Sequence, residues 1–252
     1  MDTPLQGHTP GSAPADAAAD TPTLVTQPLW DAPVRLLHGL MALGMAGAWL
    51  TAEADGWRAV HISFGLTLAG AMALRGVWGL VGSGPARFTN FVRGPAAVVG
   101  HLRDLLAGRA RPHAGHNPAG GWAVLALLGT GLAAAGSGWL AYSAGEAWEE
   151  VHEALATGLL ALVGLHIAAV LLTGWLSRDR LVPAMLTGRK AVPAGTPPTR
   201  RMHRGVAALI LAAVLGLWAW SLGPASPWRD GDIGAPNGHG ERHHGGRDHD
   251  DD

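Results

Sequence analysis

The sequence predicts an all-α integral membrane protein: a bundle of four transmembrane helices, followed by a fifth transmembrane helix toward the C-terminus. Three observations lead there. The apolar residues gather in five blocks of about twenty, the length that spans hydrocarbon at ~1.5 Å rise per residue. No block shows sustained period-two alternation, and in lipid a segment must satisfy its own backbone, which a helix does. The connections between blocks alternate between long and basic and short and acidic.

Each element follows in order. Residues 1–28 are rich in Pro, Ala and Asp, and lack the basic start and apolar core of a signal peptide. They read as a disordered tail. The first span runs from about Val34 to Ala52 and the second from about Ala59 to Val81. The third is Gly121–Ala144. The fourth runs from about Trp148 to Leu176 and has no formal charge between Ala154 and Ser177. These four lie in a membrane domain, residues 29–190. A basic linker, 191–204, leads to the fifth span, 205–223, centred on Val206–Leu222. Residues 224–252 end in "GHGERHHGGRDHDDD" and read as a solvated, disordered tail with loose metal-binding capacity. The glycines inside the blocks are costly in a soluble helix, but in a membrane they let neighbouring helices approach.

Loop charge sets the orientation. The connection 82–120 carries Arg87, Arg93, Arg103, Arg109 and Arg111 against Asp104 alone. The connection 177–204 carries seven bases, among them Arg178, Lys190 and Arg204, against Asp179 alone. The opposite connections hold Glu53 and Asp55 with Arg58, then Glu146, Glu149 and Glu150. By the positive-inside rule the basic loops and the N-terminus are cytoplasmic and the C-terminus is periplasmic, in a bacterial inner membrane. Trp30, Trp57, Trp148 and Trp228 fall at the expected interfaces and read as an aromatic belt.

Composition excludes several classes. A net charge of −1 gives no footprint of a nucleic-acid binder. The absence of cysteine removes disulfides, thiolate-held zinc, iron–sulfur clusters and covalent haem attachment through C-x-x-C-H. Any metal is held by His or carboxylate, or arrives inside a cofactor.

Four histidines lie in or at the mouths of the spans. His152 and His166 are fourteen residues apart on the fourth. Fourteen residues advance a helix by ~21 Å and turn it by almost four full turns, so both point to one face at two depths. His61, at the start of the second span, shares the outer depth with His152. His38, near the start of the first, shares the inner depth with His166. Imidazoles at membrane depth are expensive and mark function. Two facing imidazoles are what a six-coordinate haem iron needs, whereas bare zinc takes three or four ligands. The pairs His38–His166 and His61–His152 therefore predict two non-covalent, bis-His haems. Arg35 and Arg58 each precede a pair histidine by three residues and share its helix face. Arg75 lies fourteen residues after His61, at the inner depth. All three are candidates for the haem propionates, and the alternative for Arg35 and Arg75 is cytoplasmic anchoring or snorkelling. His101, His113 and His116 lie in the inner loop. His116, within "GHNPAGG", reads as a structural loop residue, and His203 reads as an anchor at the mouth of the fifth span.

The segments "LWDAPVRLLHGLMALGMAGAWLTAE", "VHISFGLTLAGAMALRGVWGLVGSGPARFTNFVRGP", "GHNPAGGW" and "WEEVHEALATGLLALVGLHIAAVLLTG" with "LVPAMLTGRK" resemble the prokaryotic cytochrome b561 family. That family includes the b-type cytochrome subunit of nickel–iron hydrogenases. The resemblance covers about Leu29 to Lys190. It implies a four-helix bundle with two b haems, moving electrons between a quinone pool and a redox partner. By motif it carries the iron ligands onto His38, His61, His152 and His166. The fifth span and the His/Asp tail are departures that leave subfamily and partner open. Expected partners are lipid, quinone, and a periplasmic c-type cytochrome or oxidoreductase subunit. Quinone oxidoreductase activity is compatible with this reading. Two alternatives stay open: a haem-bearing anchor of a larger enzyme such as a hydrogenase, and a stand-alone superoxide or ferric reductase.

Overall fold

The computed structural model describes residues 23–54, 56–109 and 115–228. His113 and most of the two expected tails lie outside them.

Chain order is β1 (Leu24–Pro28), α1 (Ala32–Leu50), α2 (Arg58–Val81), a one-turn α3 (Phe88–Phe91), α4 (Pro95–Leu106), α5 (Pro118–Ala144), α6 (Glu149–Leu176), α7 (Leu181–Thr187), β2 (Arg189–Pro193) and α8 (Arg204–Ser221). Local chemistry sets the helix starts. The Asp31 carboxylate accepts the Val34 N–H at 3.0 Å, with Pro33 in the first turn of α1. Asn117 does the same for α5, accepting the Gly120 N–H at 2.6 Å ahead of Pro118.

Among the described residues four helices are long and apolar enough to cross a membrane: α2, α5, α6 with its preceding turn, and α8. The nineteen-residue α1, expected as the first span, is not among them. Arg35 and His38 dilute its hydropathy. The C-terminal helix thus stands among the four, and the expected fifth span is not shown.

The helices form two hairpins, α1 with α2 and α5 with α6, joined through α2 against α5. Close contact needs small residues: a Cβ on Gly44 of α1 would lie 3.1 Å from Leu68 of α2. Leu68, Met72, Leu128 and Leu159 fill the join between hairpins. The helix α8 packs on α1 and α2, with Ile210 among Leu37, Leu40 and Ala71. In contrast, α6 packs on α5 but makes few close backbone approaches to α1 or α2. Its only fully buried side chain is Leu159. The helix that carries two of the candidate histidines therefore meets the helices that carry the other two through side chains rather than close backbone contact.

A cap closes the end that bears the long basic loops. The strands β1 and β2 pair antiparallel, from Leu24 opposite Pro193 to Pro28 opposite Arg189. The Gly188 carbonyl accepts the Leu29 and Trp30 N–H groups, and Thr199 Oγ1 donates to the Leu29 carbonyl at 2.7 Å. Lys190 and Asp179 form a buried ion pair at 2.8 Å. The ribbon differs from the expected tail and linker, since it takes the last residues of one and the first of the other. Five-residue strands pairing across more than 160 positions leave no periodic signal for a sequence reading.

The tryptophans divide. Trp57 and Trp148 are exposed, as belt residues are. Trp30 is buried under the cap, and Trp228 is buried among Trp139, Tyr142 and Trp220. Tertiary packing, not the interface, holds those two.

Candidate functional site

His61 and His152 come together. Their ring centroids are 6.3 Å apart and their planes cross at 88°. Each Nδ1 is held by a backbone carbonyl: His61 bonds to Ala48 of α1 at 2.8 Å, and His152 to Ala134 of α5 at 2.8 Å. A carbonyl only accepts, so each Nδ1 carries the proton, and in the neutral imidazole Nε2 is then the nitrogen with the lone pair. This is the outer arrangement of metal-ligating histidines, whose second nitrogen is committed to a backbone or carboxylate acceptor. Two imidazoles sharing one metal, at about 2.0 Å per bond and roughly 1.2 Å from nitrogen to ring centre, have centroids about 6.4 Å apart. The observed spacing matches that figure. Among the described residues no group of three or more His, Cys, Asp or Glu gathers as a metal site. The pair therefore suits a metal whose remaining ligands come from a macrocycle.

The surroundings make room for these rings. Gly138 of α5 faces His152, and a Cβ there would lie 2.8 Å from the ring Cε1 and 2.9 Å from Nδ1. The ring occupies the space that a side chain would take. Arg58 opens α2 one turn before His61 and is exposed.

The second level is built differently. His38 and His166 lie within electrostatic range of each other across α1 and α6. One and two turns deeper on the His38 face, Met41 and Met45 pack against the cluster of Leu68, Met72, Leu128 and Leu159 at the join between the hairpins. Arg75 is 4% exposed and reaches the same end of the bundle. Its Nη2 donates to the Ala86 carbonyl at 3.2 Å, and its guanidinium lies 5.2 Å from the Phe88 ring centre. Its Nη1 is buried with no hydrogen-bond partner, and Arg75 makes no ion pair among the described residues. The Asp31 carboxylate acts on it only through space, and a buried guanidinium is costly without an anion in direct contact. Arg35 reaches elsewhere: its Nη2 donates to the Leu186 carbonyl of α7, and it lines a groove between α1, α7 and α8.

His116, read from the sequence as a structural loop residue, is packed in the loop ahead of α5. It packs its ring on Phe91, 4.4 Å between centroids, and against the edge of Trp30 at 5.0 Å. Its Nδ1 is buried without a partner. Burial pushes its pKa down to about 3, helped by the nearby charges of Arg75, Lys190, His166 and His38. It is thus a loop residue whose neutral imidazole lies near the second level. The signal in the sequence was its place between the loop and the α5 cap, which says nothing of tertiary position. His203 is a further surprise, at 3.8 Å from Asp31 and with its ring beside Trp78, whose indole donates to Asp31 at 3.0 Å.

A family model described as prokaryotic cytochrome b561 matches residues 29–188, more than half of the chain. The chain belongs to the prokaryotic cytochrome b561 family. Membership makes it a b-type cytochrome, a haem-bearing electron-transfer protein of the membrane. The match begins at the residue before Trp30 and ends where α7 gives way to β2, so it takes in both histidine levels and leaves α8 outside. None of the curated proteins and none of the solved structures compared with the chain matches it. As a test of fit, the donor set of this cytochrome b561 member is two-imidazole at one level, with a free Nε2 on each ring, and the unpartnered Arg75 at the other suits an anionic substituent.

Proposed function

We propose that the protein holds two b haems, one at each histidine level, and passes electrons between the membrane quinone pool and a redox partner at the other membrane face. His61 and His152 hold the outer haem; His38 and His166 hold the inner one. The observation that carries this reading is the 6.3 Å separation of two rings whose Nδ1 atoms are both committed to backbone carbonyls. When bound, each haem supplies a reversible one-electron Fe(III)/Fe(II) couple.

The chain's own groups do the rest. The Ala48 and Ala134 carbonyls fix the tautomer of each outer ligand and raise its basicity. Arg75 meets propionate charge at the inner level, which accounts for a buried cation with a free N–H. Neutral His116 adds a polar edge there without adding charge. The loop charges favour the cytoplasm for the inner level and the periplasm for the outer one, in a bacterial inner membrane with α1 as an additional span. A periplasmic c-type cytochrome or oxidoreductase subunit is then the partner that reaches the outer level.

The test is spectroscopic. The purified protein should show two b haems per chain by haemochrome quantitation, both low-spin and six-coordinate by electron paramagnetic resonance, and both reducible by a quinol. One haem per chain, or a high-spin five-coordinate signal in the fresh protein, would overturn the assignment.

A further inference from the structure

The family match stops at residue 188, and α8 starts only at Arg204. Yet α8 is tied into the level of His61 by specific contacts. Ser221 and Ser63, both fully buried, share a hydrogen bond at 2.8 Å. The Trp218 indole N–H donates to Thr67 Oγ1 at 2.9 Å, and Thr67 in turn donates to the Ser63 carbonyl at 2.8 Å. The Trp218 ring meets Phe64 edge to face, with centroids 4.7 Å apart and planes at 77°. The same Phe64 ring also lies directly on Gly47 of α1, where any Cβ would overlap it.

Gly47 is the residue before Ala48, and the Ala48 carbonyl is the acceptor that holds His61 Nδ1. That carbonyl lies in the last turn of α1, which ends at Leu50. Last-turn carbonyls have no helical partner, and helix ends fray. The acceptor is thus available for His61 but is not rigid on its own account. Thr51 steadies this turn, its Oγ1 donating to the Gly47 carbonyl at 2.7 Å and, at a longer 3.3 Å, to the Ala48 carbonyl itself. Trp218 and Phe64 press on it from the side.

We propose that Trp218 is a positioning residue for the outer haem ligand. It holds Phe64 against Gly47, and so keeps the Ala48 carbonyl on His61 Nδ1. The inference rests on the haem reading above and goes beyond it by giving α8 a part in tuning the outer site. An imidazole that donates Nδ1–H to a well-placed carbonyl is a stronger base, and a stronger base favours Fe(III). Weakening the brace should therefore make the outer haem easier to reduce.

The experiment is a redox titration of the full-length purified Trp218→Leu protein, followed optically, with haem counted first. Outer-shell partners of metal-bound histidines carry effects of about tenfold or more. The expected result is two haems per chain, with the reduced-to-oxidised ratio of one of them raised about tenfold at fixed ambient potential. For a one-electron couple that is about 59 mV. The other haem should not move. Trp218→Phe keeps an aromatic edge on Phe64 and should recover most of the shift. Thr67→Val, which removes the indole's acceptor together with the Thr67 bond to the Ser63 carbonyl and leaves both rings in place, should give a smaller shift of the same sign and serves if Trp218→Leu does not fold. Unchanged potentials in a two-haem Trp218→Leu protein, or equal shifts of both haems, overturn the role of Trp218 and leave the haem assignment standing. A wild-type protein with fewer than two haems overturns both.

Discussion

Gly138→Ala adds one methyl group where His152 turns. The new Cβ would sit 2.8 Å from Cε1 and 2.9 Å from Nδ1 of the ring. Ordinary carbon contacts start near 3.5 Å, so the ring must retreat by roughly 0.7 Å or α5 and α6 must part. Retreat lengthens the bond from Nδ1 to the Ala134 carbonyl beyond its 2.8 Å. It also opens the 6.3 Å ring separation, which already matches two metal–imidazole bonds with nothing to spare. Overpacking of this kind costs about 1–3 kcal/mol, and losing the hydrogen bond costs about 1 kcal/mol more. Replacing a helical glycine by alanine returns about 1 kcal/mol of backbone entropy. The penalty is local and modest, so the bundle should still fold. What fails is ligation at one level. The assay is haem content and spin state of the purified Gly138→Ala protein. We expect the haem at the His61–His152 level to turn five-coordinate and high-spin, or to be lost, while the other keeps its spectrum. Two unperturbed low-spin haems would refute the view that the Gly138 gap exists to seat a ligating ring.

Three further predictions follow from other parts of the fold. Arg75→Met should cost the protein its inner haem without lowering the thermal midpoint of the haem-free form, because it removes a buried cation that lacks an ion-pair partner; a variant that keeps both haems contradicts the role given to Arg75. Asp179→Asn removes the carboxylate of the buried pair with Lys190 and should destabilise the protein by about 3–5 kcal/mol in a denaturation series, with the Asp179→Leu/Lys190→Met double variant recovering much of it. His116, with its pKa lowered to about 3 from 6.5, binds a proton in the unfolded chain before it does so in the folded one. Its contribution is complete above about pH 6.5 and is lost as the pH falls toward 3, at up to about 1.4 kcal/mol per pH unit, so His116→Leu should flatten the stability–pH curve in that window.

The helices were legible because their signal is local and long. The expected limits Val34–Ala52, Ala59–Val81, Gly121–Ala144, Trp148–Leu176 and Val206–Leu222 fall within a few residues of α1, α2, α5, α6 and α8. The fourteen-residue spacing of His152 and His166 carried depth and face together, since a helix converts sequence distance into both. Other features had no such local imprint. The cap joins residues near 25 to residues near 192, and nothing near either strand announces the other. Trp30 looked like a belt residue because tryptophan suits an interface, but the cap covers it. Arg35 shares a helix face with His38 by spacing, yet its side chain leaves toward Leu186. His116 sits in a loop by pattern and at the second level by packing. The carbonyls of Ala48 and Ala134 are invisible to any reading of side-chain types, although they hold the outer pair in its tautomer.

The central claim is that the four histidines act as two pairs, each holding one haem, and the most direct measurement is haem per chain in double variants. Within the pair, His61→Ala with His152→Ala should leave one low-spin haem, as either single variant does. Across the pairs, His61→Ala with His166→Ala should leave essentially none. A cross-pair variant that retains one intact bis-His haem, or a within-pair variant that loses both from a folded protein, would contradict the account.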